Sequence, residues 1–382
     1  MQTADIVVIG AGVIGLAVAY ELARSGTRVT IIERNELPAQ GSTAACTGGI
    51  RLQFSSEPNI RFSKIGLERF AAFSEEFGTD IGLKQNGYLF LLPRGRDLEL
   101  YAQGHRLQRC LGVKSVFMDR QSLMQIIPFV CLEDVTSGSL CRSEGHADPH
   151  AVVEAYIHGL RRHNIAIQTD TELTGISTNR SRITSVSTNK GDISTNVVAV
   201  CAGPESAGIA GMAGVNLPLV SKKRHVVAIM PPSLLPEDLP LIVDSDSGWY
   251  LKAEPGGIAL VGGTDRDVQP ACDTLPEQNV VDRIVEATVR RAPRLADAGI
   301  IRTIVGLRCM SPDDHACIGR MANIEGLYCA AGFSGHGFMH APAAGMALSE
   351  LIATGQSAAL AGFDPRRFER DSTASAPERY VF

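Results

Sequence analysis

The 382-residue chain is 45% hydrophobic and 20% charged, enough apolar material to bury a substantial core and enough length for about two domains. A net charge of -5, with no Lys/Arg run longer than Lys222-Lys223-Arg224, excludes the basic field that a nucleic-acid backbone requires. The first long apolar stretch, Ile6 to Ala23, is broken by Gly10, Gly12 and Gly15 and follows Asp5 rather than a basic segment, so it reads neither as a signal peptide nor as a membrane span. The nine cysteines show no C-x-x-C pair and no histidine partners at zinc spacing. That pattern predicts free thiols in a reducing, cytoplasmic setting, with no metal.

In chain order, the run from Asp5 to Gly10 is short, apolar and β-branched, as expected of a strand buried on both faces of a parallel sheet. Gly10-Ala-Gly12-Val-Ile-Gly15 follows at once. The first glycine permits a tight turn, the second lets backbone approach a pyrophosphate, and the third lets a helix beginning near Val13 pack closely on the strand. That helix should stop at Gly26, and Arg28 to Glu33 reads as the second strand. Glu33, 18 residues after Gly15, is placed to accept hydrogen bonds from both hydroxyls of an adenosine ribose and to repel a 2′-phosphate. Strand, glycines, helix and acid together predict a bound FAD or NAD rather than NADP, with Arg34 beside the acid.

Further along, Asn196 to Gly203 reads as another buried strand that ends in a glycine, as if the chain returns to the nucleotide sheet. Arg224 to Met230 and Gly257 to Gly262 read as sheet strands. Toward the end, a strand from Gly326 runs into Gly332-Phe-Ser-Gly335-His336-Gly337-Phe338, and a helix rich in small residues is predicted over 339–354. The N-terminus of such a helix presents unpaired N–H groups and partial positive charge to whatever lies above the turn. A flavin edge would suit that position, and so would simple packing of the helix on the sheet. No second G-x-G-x-x-G occurs, so nothing provides for a separate nicotinamide donor, and electrons should come from the substrate.

Gly332-Phe-Ser-Gly-His-Gly-Phe-Met339 before Ala341-Pro-Ala-Ala-Gly345 resembles the C-terminal flavin-binding segment of the D-amino-acid oxidase-like FAD family, which includes glycine oxidase and sarcosine oxidase. Three further segments, 41–55, 86–92 and 363–370, resemble the β subunits of heteromeric sarcosine oxidases and of dye-linked L-proline dehydrogenases. The resemblance implies an α/β fold with a Rossmann-like FAD domain of the glutathione-reductase and p-hydroxybenzoate-hydroxylase type. A second domain built on an antiparallel sheet would bind substrate. The expected division is 1–81, 146–214 and 303–382 for FAD, and 82–145 and 215–302 for substrate.

The resemblance also implies roles for particular residues. The small-residue loop 41–49, with Ser42, Thr43 and Ala44, would contact the cofactor, as would Gly203, Gly335, His336, Gly337 and Phe338. Arg308, in Gly306-Leu-Arg-Cys-Met-Ser-Pro-Asp313, matches an arginine that holds a substrate carboxylate. A guanidinium suits that task because it grips a carboxylate with two parallel hydrogen bonds. Tyr250, in the segment from Trp249 to Thr264, matches a substrate-binding tyrosine, and Trp249 on the alternate face would pack in the core. His336 would polarise the flavin, contact substrate, or cap the turn.

The implied reaction is oxidation of the C–N bond of a small amino acid or secondary amine, such as proline, sarcosine or glycine. A hydride passes to flavin N5, and the imine is hydrolysed. A C–O substrate such as a hydroxy acid, and a non-catalytic FAD-holding subunit, are the competing expectations. FAD is expected to be noncovalent, since the context of Cys309 and Cys317 resembles members without a flavin–cysteine bond. Where one β subunit carries an FMN-linking histidine this chain has Pro149, with His150 one residue later, which argues against FMN. Oxygen, a quinone or a hetero-oligomeric electron-transfer subunit are the open electron acceptors.

Overall fold

The computed structural model describes residues 2–93, 98–263, 268–322, 324–369 and 377–380. Thr264 and Arg370, which end two of the segments quoted above, lie outside them. The chain forms two large sheets with helices packed on both, and two smaller sheets of four and two strands.

The six-stranded sheet runs Cys317–Arg320, Leu327–Ala331, Val198–Val200, Ile6–Ile9, Val29–Ile32, Ile167–Gln168. All its pairings are parallel except the first. The sequences Ile-Val-Val-Ile and Val-Thr-Ile-Ile are buried at every position, because helices cover one face while the four-stranded sheet and the short Ser206–Met212 helix cover the other, leaving no solvent side for a polar residue. As expected, a helix follows the first glycines, over Val13–Arg24. The C-terminal helix begins two residues earlier than predicted and spans Gly337–Thr354. These two helices pack tightly on each other. Gly345 makes that possible, since a β-carbon there would stand 2.6 Å from the Ala17 carbonyl oxygen.

The eight-stranded sheet runs Gly299–Met310, Val220–Met230, Ala259–Gly262, Tyr250–Ala253, Leu241–Asp244, Tyr88–Pro93, Val135–Cys141, Val116–Asp119. It is antiparallel except where Leu241–Asp244 pairs parallel with Tyr88–Pro93. Alternation along its strands separates two environments. Leu89, Leu91, Val227, Ile242 and Leu251 join a core with Val280, Val281 and Ile284 of the Gln278–Arg291 helix. Tyr88, Phe90, Val226, Leu241 and Val243 face the opposite way, into a cavity between the two large sheets. Trp249 and Tyr250 divide as the alternation requires. Trp249 is buried, its indole N–H donating to Thr288 Oγ1 at 3.0 Å, and Tyr250 lines the cavity.

All nine cysteines are free thiols. No helix among the described residues is long and apolar enough to cross a membrane.

Candidate active site

One cavity of about 1190 Å³ runs along the carboxyl ends of the parallel strands and under the eight-stranded sheet. It exceeds the range of roughly 300–1,000 Å³ that suits a small ligand, and it lies where open parallel sheets bind ligands. Of the residues expected to touch cofactor or substrate, all but Gly15 line it. Gly15 instead packs directly on the first turn, where a β-carbon would collide with the Gly10 carbonyl.

At one end the Ile6–Ile9 strand finishes at Gly10, whose φ of 96° belongs to glycine and whose neighbour, the Cys201 carbonyl, leaves no room for a side chain. Gly12 then begins the helix without any side-chain cap, and Thr43 Oγ1 accepts from the Val13 N–H at 3.2 Å. Glu33 ends the second strand, 8% exposed. Its Oε2 accepts from the Ala11 N–H at 2.8 Å, and its Oε1 accepts from the backbone and side-chain N–H groups of Asn35. The acid therefore ties the glycine turn to the second strand as well as facing the cavity. Arg34 pairs with Glu205 at 2.6 Å on the cavity rim, close to Gly203. Ser42 is turned to the second sheet, its hydroxyl donating to the Leu307 carbonyl at 2.6 Å, and Ala44 lies in the same loop against the cavity.

At the other end the Leu327–Ala331 strand breaks at Gly332, Ser334 and Gly335, all at positive φ, before His336 caps the long helix through its backbone position. The His336 side chain makes no capping bond, its backbone alone occupying the cap position. Its ring is edge-on to Phe54 and its Nε2 lies 3.1 Å from Arg51 Nη2. A guanidinium can only donate, so His336 Nε2 accepts and the ring proton sits on Nδ1. Burial, the Arg51 charge and the His340 ring beside it hold this imidazole well below its ordinary value. With Nε2 accepting from Arg51, the ring is neutral.

Arg308 lies against the same turn, its Nε 2.7 Å from where a Gly335 β-carbon would stand. On the sheet, Arg224 faces Gly306 and Lys222 faces Arg308 across the Val220–Met230 and Gly299–Met310 pair. Arg224 and Arg308 are thus diagonal neighbours on one face, and both line the cavity. Burial and the charges of Arg224 and Arg51 push the Arg308 guanidinium below its ordinary value, against the pull of Tyr250. Since an arginine stays charged in a protein, the region favours an anion. Burial pushes the Tyr250 phenol up, and only the Arg308 charge opposes it, so the hydroxyl keeps its proton.

Arg51, inside the 41–55 segment, also lines the cavity, although the sequence does not single it out. It is 5% exposed, lies over the Phe54 ring at 3.9 Å, and donates to the Gln53 carbonyl at 2.7 Å and to the Tyr380 carbonyl at 2.5 Å. Nothing in the local pattern marks a partner 329 residues away.

The sequence pattern of the DAO family, FAD dependent oxidoreductase, matches residues 5–351. The chain belongs to that family. As a DAO-family protein it is an FAD-dependent oxidoreductase, and its cavity can be tested against that cofactor. The residues fit. The N-termini of two helices open on the same cavity, Gly10, Gly12, Gly335 and Gly337 line it without a side chain, and Glu33 presents a carboxylate that suits a ribose.

Among solved structures, L-proline dehydrogenase from P. horikoshii is 31% identical, with a TM-score of 0.90 over 97% of this chain and 98% of that one. Glycine oxidase from Geobacillus kaustophilus shares the fold, with a TM-score of 0.86 at 21% identity over 95% and 98% of the two chains. Among curated relatives, sarcosine oxidase subunit beta from Rhizobium meliloti (strain 1021) is 27% identical over 373 residues, 96% of this chain and 88% of that protein.

Proposed function

We propose that this DAO-family enzyme oxidises the C–N bond of a small amino acid or secondary amine of the proline, sarcosine or glycine kind, giving an imine that water hydrolyses. The observation that carries the reading is the Arg308 guanidinium, half-buried in the cavity wall with Tyr250 and against the Gly335 turn. Bound FAD supplies the hydride acceptor. The first sheet would carry it and the second would carry the substrate.

The chain's own groups then have distinct tasks. Arg308 would take the substrate carboxylate in a paired, charge-assisted grip that fixes the direction of the reacting C–H. The Tyr250 hydroxyl would donate to the same carboxylate. A cation placed near Arg308 feels the charges of Arg224 and Arg51, so the cavity favours a substrate nitrogen in its neutral form, which is the form that can release a hydride. His336, neutral and bonded to Arg51, is not needed as a base. Names of similar proteins, L-proline dehydrogenase and sarcosine oxidase subunit beta, support the amine reading over a C–O substrate, and the second name supports a hetero-oligomeric electron-transfer partner.

The reading is tested by mixing the FAD-loaded protein anaerobically with proline, sarcosine, glycine, lactate and glycerol 3-phosphate and recording flavin absorbance. Bleaching by at least one of the three amines is expected. Bleaching by lactate or glycerol 3-phosphate and by none of the amines would transfer the site to C–O chemistry. Noncovalent attachment is supported by Cys309 and Cys317, whose thiols burial pushes up to about 11, far from the thiolate form that bonds to carbon. Acid precipitation should leave FAD in the supernatant; flavin retained by the pellet would reverse that assignment.

A further inference from the structure

The 377–380 segment packs behind the cavity wall, against the cavity-lining Arg51, from the far end of the sequence. Glu378 is 3% exposed, and its carboxylate accepts from the Ser55 N–H at 2.8 Å, the Ser55 hydroxyl at 2.6 Å, the Ser56 hydroxyl at 2.6 Å and Asn59 Nδ2 at 3.1 Å. These donors all belong to the stretch immediately after Arg51. The Tyr380 ring stacks on Tyr101 at 4.7 Å and 12°, and its hydroxyl donates to the Leu100 carbonyl at 3.1 Å. Gly104 leaves the space for it, since a β-carbon there would strike the Tyr380 hydroxyl. Between these two anchors the Tyr380 carbonyl accepts from Arg51 Nη2 at 2.5 Å. The same nitrogen donates to His336 Nε2.

Arg51 sits in a desolvated place, and a buried guanidinium must be hydrogen-bonded and balanced by charge. Two of its needs are met by the 377–380 segment. Tyr380 gives a carbonyl acceptor, and Glu378 is the foremost opposing charge acting on it. In turn, although burial pushes the Glu378 carboxyl up, the Ser55 and Ser56 hydrogen bonds and the Arg51 charge hold it below its ordinary value. This is a mutual arrangement of arginine and carboxylate across 327 residues of sequence, from 51 to 378, with a cavity-lining histidine at its end.

We propose that the 377–380 segment is a positioning element of the active site: Glu378 anchors it, the Tyr380 carbonyl fixes Arg51, and Arg51 holds the His336 ring in its Nδ1-protonated form. The inference rests on the reading of this cavity as the substrate site, so one of its readouts needs no substrate.

Two altered proteins test it, a chain lacking residues 377–382 and the variant Glu378→Gln, each loaded with FAD and checked for flavin content. The substrate-free readout is the 15N spectrum of the histidine rings between pH 5 and pH 8. In the unaltered protein His336 should give the signals of a neutral ring with Nε2 as acceptor across that range. Groups facing it are Arg51, Arg308, His340 and His315. In both altered proteins Arg51 is loosened and water enters, so His336 should titrate within the range or change tautomer. The second readout is the KM of whichever amine bleaches the flavin, expected to rise at least tenfold with a smaller change in kcat.

A shortened chain that retains FAD but leaves both the His336 spectrum and KM unaltered would overturn the proposal. If the shortened chain fails to load FAD, Glu378→Gln decides alone: lowered thermal stability with an unmoved His336 spectrum overturns the positioning role. Should no amine bleach the unaltered protein, the proposed reaction fails while the histidine spectrum still judges the segment.

Discussion

Replacing Glu144 by glutamine should change how stability depends on pH, and by an amount that the structure fixes. Glu144 is fully buried. Its Oε1 accepts from the Leu52 and Gln53 N–H groups, the latter at 2.6 Å, and its Oε2 accepts from Gln53 Nε2 at 2.8 Å. Burial nonetheless outweighs these bonds and the Arg51 charge, and pushes the carboxyl up to about 7 from 4.5. Because the folded value lies above the unfolded one, the folded state holds the proton more tightly. The cost of ionising is absent below the unfolded value, grows as pH rises, and is complete above pH 7.

At about 1.4 kcal/mol per pH unit, the difference between pH 5 and pH 8 is about 2–3 kcal/mol. Glutamine does not titrate. Its amide nitrogen will face the Gln53 side-chain donor, but that cost does not vary with pH. Urea unfolding of both proteins at saturating FAD should therefore show the stability difference moving in favour of Glu144→Gln by about 2–3 kcal/mol from pH 5 to pH 8. A difference that stays flat across the range would mean that the three hydrogen bonds and Arg51 keep the carboxyl at its ordinary value, and the argument from burial would fail.

Gly15→Ala should purify with at least tenfold less flavin absorbance per chain, because its β-carbon drives the first helix away from the Gly10 carbonyl; normal loading would remove the close strand–helix contact from the account. Arg308→Met should keep the bound-flavin spectrum while kcat/KM falls by about 30- to 4,000-fold, the equivalent of about 2–5 kcal/mol for one member of a buried charge pair. Unchanged turnover would place the substrate carboxylate elsewhere. With the Tyr250 phenol pushed up and the His336 imidazole held down, neither side chain changes charge between pH 6 and pH 9, so the rise of kcat/KM with pH should follow the ammonium ionisation of each amine tested. An ascending limb at one fixed pH for amines of different basicity would contradict this.

Much of the nucleotide end is written locally. The glycines, the helix and Glu33 lie within one strand–helix–strand unit, and two of its contacts close inside it, Gly15 on the Gly10 carbonyl and Glu33 on the Ala11 N–H. Alternation likewise separates Trp249 from Tyr250, because a strand with two different faces carries a period of two whatever its partners are. The remaining parts depend on contacts that no period encodes. The parallel pairing of Leu241–Asp244 with Tyr88–Pro93 brings together short apolar runs that would read the same in an antiparallel pair. Glu144 looks like one more charged residue near a turn until the Leu52–Gln53 backbone wraps it. Arg51 meets Tyr380 only once both sheets are assembled, and the polar, small-residue stretch before Pro377 gives no hint that the chain re-enters the core.

The charges of the cavity explain why so few of its side chains need to move a proton. Carboxylates lie at the end beside the Gly10 turn, with Glu33 fixed by Ala11 and Asn35 and Glu205 paired to Arg34. Guanidiniums lie at the other, with Arg51, Arg224 and Arg308 lining the same space as a neutral histidine. In the proposed reaction a fixed field of this kind would do its work before the reaction starts: it would select a carboxylate, and the neutral amine over the ammonium. A base would add little to a substrate that has already lost its proton on entry, and a cationic histidine would weaken the arginine grip by competing for the same anion. Holding His336 neutral would thus be part of keeping Arg308 available, with Arg51 joining the two by donating to the one ring nitrogen that could otherwise take up a proton.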